Sequence, residues 1–596
     1  MSYNAPIEDM LFNIKELANL EHLNLLPGFE DANLDVVESI LEEKAKFCSE
    51  VISPLNKIGE HSPSSLKNGN VFTTPGFKEA FKSFGEAGWQ GVQHPVDYGG
   101  QGLPKLIATP CMEMLHSANM SFALCPLLTD AAIEALMTAG TNHQKNIFLR
   151  NLISGKWTGT MNLTEPQAGS DLALIRSQAI PNKEGNFNIF GTKIYITYGD
   201  HDLSENIIHL VLARTPNSPV GVKGISLFIV PKYLVNKDGT LGEKNDVSCI
   251  SLEHKLGIRA SPTAALKFGE GEGAYGYLVG EENRGLEYMF IMMNAARFAV
   301  GMQGVAVAES AYQKAVIYAR DRLQSRDLNG SKGPVSIINH PDVKRMLMTM
   351  KCQVEASRSL SYVTAAAFDY SQSHKDCEVK KKNSQFYEFM VPIVKGWSTE
   401  LSIDVASTGI QVHGGMGFIE ETGAAQFYRD ARILTIYEGT TGIQANDLLG
   451  RKTLRDGGLF AKSVLNSVRK TELDLKNKNS NDLELIRKRL SIATNSLEEV
   501  INYLTLISKT NIKEAFAGSV PYLKLSGIVF GGWQMARSAI VASDKINSKT
   551  DNVEFLKSKL LTARFFADHF LSQAPGICTS IVEGSNSAIS LEENQF

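Results

Sequence analysis

Glu438 lies between an apolar run at residues 433–437 and a glycine-containing turn at residues 439–442. The apolar run has the composition of a strand. Carboxylates are costly to bury and seldom occupy such a position without a partner. Two interpretations are open: Glu438 is a solvated loop residue, or it is a general base held in a dry pocket.

The segment LTEPQAGSD at residues 163–171 could bring the backbone close to a ligand. Thr164 and Ser170 frame a proline and a glycine, which favour a turn. Ser170 or Asp171 could cap a short helix, and the N-terminus of that helix could receive a pyrophosphate. The spacing alone favours a structural turn and a binding site equally.

Residues 187–199 are expected to form a strand on which Tyr195 and Thr197 share one face, because side chains alternate along a strand. An aromatic side chain that can lie on a flat ring, beside a hydroxyl that can donate to a ring heteroatom, suits a flavin. On this evidence alone an ordinary strand face is the better interpretation. Gly414 and Gly415 follow a predicted helix and indicate that the chain passes tightly by another group.

Other chemistries are weakly supported. Residues 271–276 match GxGxxG, but no helix is predicted at the last glycine, so we expect a turn between strands. The motifs GxxxxGK[ST], HExxH and GxSxG do not occur, and His413 has no other candidate ligands near it in the sequence. These observations argue against a metal centre and against a hydrolase.

The bulk properties are those of an ordinary globular chain with several domains. Its 596 residues are 43% hydrophobic, and the formal net charge of −4 gives no reason to expect nucleic acid or an anionic membrane as a partner. The seven cysteines form no CxxC pair, which favours a reducing compartment and no structural zinc. Polar residues interrupt residues 522–543, as in a buried helix, and no signal peptide is recognised, so a cytoplasmic location is expected.

The elements that must position these groups are predicted to form an α+β multidomain fold. Its four consecutive domains are a helical domain at residues 1–157, an antiparallel β-domain at 158–283, a helical bundle at 284–450 and a further helical domain at 451–596.

Single elements within these domains are predicted from periodicity and composition. Strands are expected at residues 187–199, 208–215 and 225–232, which are rich in β-branched and aromatic residues. Residues 285–323 are expected to form one long helix, and residues 483–509 repeat apolar side chains at helical spacing.

Seven segments, in this order, resemble the acyl-CoA dehydrogenase family over residues 85–450. They are YGGQGLP (98–104), LTEPQAGSD (163–171), GTKIYIT (191–197), KLGIRASPT (255–263), ARFAVGMQGVA (296–306), QVHGGMGF (411–418) and YRDARILTIYEGTTGIQ (428–444). The family fold places a β-domain between two helical domains. The helical sequence after residue 450 resembles the long subgroup that includes 3-methylmercaptopropionyl-CoA dehydrogenases and broad-range relatives.

The resemblance implies that Glu438 removes the α-proton of an acyl-CoA thioester while the β-hydrogen leaves as a hydride to FAD. The thioester oxygen would accept a hydrogen bond from the backbone N–H of the base. Some relatives carry the base on the long helix instead, at the position of Ala296, where alanine cannot act. The resemblance therefore places the chemistry on Glu438 alone.

The resemblance also implies a set of binding residues. Those expected at the cofactor are Thr164, Ser170, Tyr195, Thr197, Arg322, Gln324, Gln411, Gly414, Gly415 and Thr440. Those expected at the substrate are Ser170, Asn294, Arg297, Tyr437 and Gly439. The family pattern is departed from in three places: Tyr195 replaces a common tryptophan, Ser325 and Arg326 replace an aromatic-glycine pair, and Gly442 replaces a common glutamine.

The function implied is dehydrogenation of 3-methylmercaptopropionyl-CoA or of a short- or medium-chain acyl-CoA, in fatty acid β-oxidation or in dimethylsulfoniopropionate catabolism. Electron-transferring flavoprotein is the expected acceptor, and a homodimer the expected assembly. Three alternatives are a dehydrogenase of longer acyl chains, an acyl-CoA oxidase that uses O₂, and a flavin-bearing scaffold without activity. The retention of Glu438 argues against the scaffold.

Overall fold

The computed structural model describes residues 3–236, 238–548 and 552–596. The chain forms two compact units, each built from separate stretches of sequence. The first unit comprises Glu43–Leu103 and Met114–Ala299 with the described part of Met1–Ala5, and the second comprises Pro6–Glu42, Pro104–Glu113 and Val300–Phe596.

Helices account for most of the regular structure. They are α1 (Ile7–Phe12), α2 (Leu20–Leu23), α3 (Leu34–Phe47), α4 (Ser53–His61), α5 (Phe77–Glu86), α6 (Lys105–Ala118), α7 (Met120–Ala139), α8 (Asn142–Ile153), α9 (Gly285–Asp321), α10 (Pro341–Ser373), α11 (Cys377–His413), α12 (Ala424–Leu434), α13 (Thr441–Asn446), α14 (Leu459–Lys476), α15 (Asn481–Ile507), α16 (Ile512–Ala517), α17 (Ser519–Asn547), α18 (Val553–His569) and α19 (Ala574–Val582).

The strands lie in the first unit. They are β1 (Ser65–Lys67), β2 (Asn70–Phe72), β3 (Trp157–Asn162), β4 (Gln178–Pro181), β5 (Phe187–Thr197), β6 (Asn206–Ala213), β7 (Ser226–Pro231), β8 (Tyr233–Val235), β9 (Leu241–Lys244), β10 (Val247–Leu252), β11 (Thr263–Phe268) and β12 (Ala274–Val279).

One eight-stranded sheet organises the β-region. Its order is β10-β11-β5-β12-β7-β6-β3, and β4 pairs with β5. Every residue of β6 and β7 is buried, which explains their nearly continuous apolar sequence. The predicted antiparallel β-domain is confirmed with one local difference: β3 pairs with β6 in parallel. A parallel pair needs a long connection, and residues 163–205 provide it between β3 and β6.

Two further expectations are settled within the first unit. Residues 269–273 join β11 to β12, and residues 274–276 begin β12, so the GxGxxG match runs from the expected turn between strands into the second strand. Residues 65–72 form the small β1–β2 hairpin within a stretch predicted to be helical, which corrects that detail.

Long helices build the second unit. The expected long helix is α9, and the amphipathic pattern at residues 483–509 is α15, whose periodic apolar residues are buried. The backbones of helices α9 and α11 are in direct contact at Gly304. A Cβ built on Gly304 would lie only 2.4 Å from the Ser398 carbonyl oxygen. This approach places side chains of α9 and α11 around the turn that follows α12.

Two helices, α7 and α9, are long and apolar enough to cross a membrane by length and composition. Most of their apolar windows, 83% and 72% respectively, are buried inside the protein. Core helices of soluble proteins share this property. Helix α17, which contains residues 522–543, is buried over most of its length as expected.

Candidate active site

Glu438 lies in a turn between α12 and α13. The apolar run at residues 433–437 does not form a strand despite its composition, since α12 continues to Leu434 and the chain then turns. The N–H groups of Ile436 and Tyr437 both donate to the carbonyl oxygen of Ile433. The amphipathic pattern that begins at residue 424 determines the structure here, and the β-branched composition of five residues does not override it.

The turn itself has a rare backbone conformation. Glu438 has a φ of 54° and Gly439 a φ of 87°, and Glu438 is half-buried. A side chain at Gly439 would also displace Gln444, since a Cβ there would lie 2.8 Å from Nε2 of Gln444. Backbone of this kind is concentrated at functional sites. Of the two interpretations of Glu438, the geometry favours a held residue over a solvated loop residue.

Tyr437 directs its hydroxyl group into the core of the second unit. The hydroxyl donates to Oε1 of Gln303 on α9, a residue with no exposed surface. Burial raises the pKa of Tyr437 well above its usual value, and the Glu438 charge adds to this effect. Tyr437 therefore stays protonated and anchors the turn to α9.

Thr440 caps the short helix α13. Its Oγ1 accepts a hydrogen bond from the N–H of Ile443 over 3.2 Å. A hydroxyl that accepts one bond can still donate its proton. The structure is thus compatible with the expected contact between Thr440 and a phosphate.

The first unit brings Thr164 and Tyr195 to adjacent positions. The N–H of Ile194 donates to the carbonyl oxygen of Thr164 over 3.0 Å, next to Tyr195 in sequence. Tyr195 is 60% exposed, and Thr197 is half-buried. An exposed aromatic side chain such as Tyr195 is a surface on which a flat ring could stack.

The regular alternation expected along β5 fails at Tyr195. The residue has a φ of 59°, and the register between β5 and β11 shifts at this point. A β-bulge explains both observations, since it inserts an extra residue and re-aims a side chain. The shared face of Tyr195 and Thr197 therefore cannot be deduced from a two-residue period.

Sequence reasoning missed the ion pair that fixes this region. Nζ of Lys193 lies 2.8 Å from Oε1 of Glu165, and both side chains are buried. Glu165 also accepts hydrogen bonds from the backbone N–H groups of Arg176 and Ser177 and from the Ser177 hydroxyl. The signal was present, because both charged residues lie inside the conspicuous segments LTEPQAGSD and GTKIYIT.

Electrostatics shows that the pair is ionised. Burial alone would raise the pKa of Glu165, but Lys193 and the hydrogen bonds lower it to about 2. Burial lowers the pKa of Lys193 to about 8 against the opposing effect of Glu165. Both groups are therefore charged at neutral pH.

The remaining residues of LTEPQAGSD form a turn with a very short cap. Asp171 Oδ1 accepts from the N–H of Ala173 over 3.0 Å, but the helix it caps contains only Leu172–Leu174. Ser170 is exposed. The cap expected at Asp171 is therefore confirmed on a helix of three residues, and the contact with a pyrophosphate stays a prediction.

Asn294 and Arg297 lie on the part of α9 that belongs to the first unit. Nη1 of Arg297 is 3.4 Å from Oδ1 of Asn294, and the Arg297 side chain is 3% exposed. Ala296, between them, has no exposed surface. A methyl group there offers no base, as the sequence indicated.

A second group of predicted cofactor residues gathers at one end of the helical bundle. Arg322 and Gln324 follow α9, and Gln411, Gly414 and Gly415 lie at the end of α11; all five are exposed.

Stacked rings bring the ends of α9 and α11 together. Tyr318 on α9 stacks on His413 with ring centroids 4.4 Å apart. His413 Nδ1 bonds to the carbonyl oxygen of Gly409, and burial lowers the pKa of the ring. His413 is thus held by ring stacking and by one backbone bond, and no group of three or more potential metal ligands occurs among the described residues.

Four family models match consecutive parts of the chain. They are the acyl-CoA dehydrogenase N-terminal domain (residues 38–156), the middle domain (160–270), the C-terminal domain (283–452) and an acetyl-CoA dehydrogenase C-terminal-like domain (464–592).

Individual relatives agree with these models over the whole chain. A 3-methylmercaptopropionyl-CoA dehydrogenase from Ruegeria pomeroyi is 48% identical, with 99% of each chain covered. A butyryl-CoA dehydrogenase from Syntrophomonas wolfei is 32% identical over 100% of this chain and 99% of its own. An acyl-CoA dehydrogenase from Bacillus anthracis, solved with FAD, has the same fold, with a TM-score of 0.73 at 23% identity over 94% of this chain and 89% of its own. The chain belongs to the acyl-CoA dehydrogenase family.

Proposed function

We propose that this protein is an FAD-dependent acyl-CoA dehydrogenase in which Glu438 is the base that removes the α-proton. The observation that carries the proposal is the strained, well-held turn at Glu438 in a chain that matches dehydrogenase models along its length. The product is the 2-enoyl-CoA. The proton passes to the Glu438 carboxylate, and the β-hydrogen leaves with its electron pair.

The chain supplies the base and the groups that orient the thioester. An α-C–H beside a thioester is a weak acid, so the developing negative charge on the thioester oxygen needs a donor. The backbone N–H of Glu438 is proposed as that donor. FAD, when bound, supplies the hydride acceptor. Arg297 and Asn294 are proposed to contact the substrate.

Several features of the first unit suit FAD. Tyr195 offers an exposed ring, and Thr164 and Thr197 offer hydroxyls. The buried Oδ1 of Asn162, at the end of β3, has no hydrogen-bond partner within the part of the chain that the structure describes. A buried acceptor of this kind is costly unless a ligand donates to it. These residues are compatible with a flavin that carries ring N–H groups.

The substrate is proposed to be 3-methylmercaptopropionyl-CoA, with short- and medium-chain acyl-CoA as the alternative. The support is the 48% identity to a relative named for that substrate. Anaerobic titration of the purified FAD enzyme with a panel of acyl-CoAs tests this choice. We expect the flavin to bleach fastest with the thioether substrate; faster bleaching with butyryl-CoA or octanoyl-CoA would contradict it. Fastest bleaching with the thioether substrate would also favour a role in dimethylsulfoniopropionate catabolism over a role in general β-oxidation.

Electron-transferring flavoprotein is proposed as the acceptor. The competing acceptor is O₂, which would make the protein an oxidase. Turnover under air without a dye or flavoprotein separates the two. Rapid release of peroxide would contradict the proposed acceptor.

A homodimer is proposed because the end of the bundle that carries Gln411 and Gly415 exposes large apolar side chains. Phe418 is 86% exposed, and Met416 is 50% exposed. Exposed apolar patches of this kind mark protein interfaces. The family resemblance assigns residues of this loop to the cofactor of a neighbouring subunit.

Substitution at the patch tests the dimer. We expect Phe418→Asp to yield monomers in light scattering after size-exclusion chromatography and to weaken FAD retention. Phe596→Asp, at a position 90% exposed, is the matched control. A Phe418→Asp variant that is still a dimer would show that this patch does not form the dimer interface. The cytoplasmic location and the three domain boundaries, after residues 157, 283 and 450, stay proposals from the sequence.

A further inference from the structure

The turn that carries Glu438 has a conformation that its own sequence does not favour. Glu438 and Gly439 both occupy the left-handed region. A glutamate rarely does so, because its Cβ crowds the following carbonyl oxygen. Such backbone persists only where the surrounding contacts determine it.

Two buried side chains hold the carbonyl oxygens of the turn. Nε2 of Gln444 donates to the carbonyl oxygen of Glu438 at 3.1 Å and to that of Gly439 at 3.2 Å. The ammonium of Lys395 donates to the same Gly439 oxygen over 2.6 Å. Both side chains are fully buried. A charged donor makes the stronger bond, so Lys395 is expected to dominate.

Helix packing directs Lys395 at the turn. Its neighbour Gly396 has no side chain, and a Cβ there would lie 2.8 Å from Cδ1 of Leu523 on α17 and 3.4 Å from Cβ of Gln444 on α13. Helices α13 and α17 can therefore approach α11 closely. Helix α17 belongs to the helical region after residue 450, which thus packs against α11 next to the lysine.

A lysine at this position has a cost that packing alone would not justify. Removing an ammonium from water is unfavourable unless it is bound by good acceptors, and a methionine would fill a similar volume without that penalty. The carbonyl that Lys395 binds belongs to the residue directly after the base. One contribution of the buried cation is therefore its bond to the backbone of the Glu438 turn.

We propose that Lys395 and Gln444 form a carbonyl clamp that positions Glu438 for proton abstraction. This inference rests on the proposed role of Glu438 as the base. Both are positioning residues: they bind the backbone of the turn and act on the reaction only through the placement of the Glu438 carboxylate. Their removal lowers the rate of proton abstraction and leaves the affinity for FAD and acyl-CoA intact.

Stopped-flow reduction of the full-length FAD enzyme by an acyl-CoA, without oxygen, tests the clamp. Lys395→Met removes the cation and keeps most of the volume, and Lys470→Met, at an exposed position on α14, is the matched control. Since small misplacement of a reacting group costs about 100-fold, we expect Lys395→Met to lower the limiting rate by about 10- to 100-fold. The acyl-CoA dissociation constant should remain within about twofold of wild type, because ground-state binding is unaffected.

Two further variants keep the result decisive. Lys395→Arg retains a cationic donor and should recover part of the limiting rate. Gln444→Met removes the second donor and should lower the limiting rate with no change in the dissociation constant. If the Lys395 variants do not fold or lose FAD, the limiting rate of Gln444→Met decides whether the clamp acts on Glu438.

The outcomes separate the clamp from the proposed function. Wild-type limiting rates in Lys395→Met, or in Gln444→Met where the lysine variants fail, would overturn the clamp. A rate loss accompanied by an equal loss of acyl-CoA affinity would also overturn it, because the residues would then shape the binding site. If the wild-type flavin is not reduced by any acyl-CoA, it is the proposed function that fails.

Discussion

The ammonium of Lys193 lies 2.8 Å from the carboxylate of Glu165, and neither side chain is more than 4% exposed. Lys193 lies on β5 two residues before Tyr195, and Glu165 follows Thr164. The pair therefore joins the two segments that carry the residues expected at the flavin. Nζ of Lys193 also donates to the carbonyl oxygen of Leu163 over 3.0 Å, which strengthens the connection.

Removing one partner of this pair should be strongly destabilising. Glu165→Gln leaves the Lys193 ammonium buried without its counter-charge, for which we expect a loss of about 3–5 kcal/mol in the free energy of unfolding. Thermal unfolding of the FAD enzyme, with FAD retention as a second readout, measures the effect. The double variant Glu165→Gln/Lys193→Met should recover part of the loss. A double variant less stable than the single one would contradict this account of the pair.

The same pair predicts how stability responds to acid. The pKa of Glu165 is about 2 in the fold, against about 4.3 for an unfolded glutamate. A depressed carboxyl pKa means that its contribution is complete above the unfolded pKa and is lost as the pH falls through the folded value. We expect unfolding temperatures of wild type to fall between about pH 4 and pH 2, and the Glu165→Gln/Lys193→Met variant to show a shallower fall over that window.

Tyr437→Phe should separate anchoring of the turn from catalysis by Glu438. The substitution removes the donor to Gln303 and leaves a buried carboxamide oxygen without that bond, a change that costs about 1–3 kcal/mol. We expect slower flavin reduction with Glu438 still present. Tyr428→Phe, on α12 at a position 39% exposed, is the matched control. Wild-type reduction and stability in Tyr437→Phe would show that this bond does not hold the turn.

A buried ionic cluster should couple the stability of helix α1, near the N-terminus, to that of helix α18, near the C-terminus. Within the second unit, Asp9 on α1 accepts from Arg358 on α10 at 2.8 Å and from Lys559 on α18 at 2.7 Å. Burial opposes ionisation of Asp9, but Lys559 and Arg358 lower its pKa well below the usual value. Asp9 is therefore charged over the working pH range.

The substitution Asp9→Asn tests this cluster. Arg358 keeps Glu113 and Glu309 as partners, and Lys559 keeps Glu355. We therefore expect the cost of lost hydrogen bonds, about 1–3 kcal/mol, and faster hydrogen exchange in both α1 and α18. Asp35→Asn, at an exposed position on α3, is the control and should change neither quantity much. Faster exchange confined to α1 would show that the cluster does not couple the two helices.

Much of the architecture was predictable from local pattern. The strands β5, β6 and β7, the long helix α9 and the amphipathic helix α15 all follow from periodicity and composition. Ordered motifs identified the family, which the family models and the full-length relatives confirm. Roles of single residues at the cofactor and substrate stay predictions.

The missed features depend on contacts between residues far apart in sequence. The Glu165–Lys193 pair spans 28 positions, and the Lys395–Gly439 bond spans 44. Residues 433–437 resembled a strand because a short apolar run cannot reveal that it ends a helix. The bulge at Tyr195 depends on the register with β11, which no single strand encodes.

Anaerobic single-turnover reduction of the flavin by 3-methylmercaptopropionyl-CoA, compared between wild type and Glu438→Gln, tests the central claim most directly. The variant replaces a carboxylate with a carboxamide of the same shape, so FAD content and acyl-CoA binding should be retained. Because a positioned base contributes about 10²- to 10⁴-fold, we predict that flavin reduction slows by at least that much. Reduction of the variant at close to the wild-type rate would contradict the assignment of Glu438 as the base.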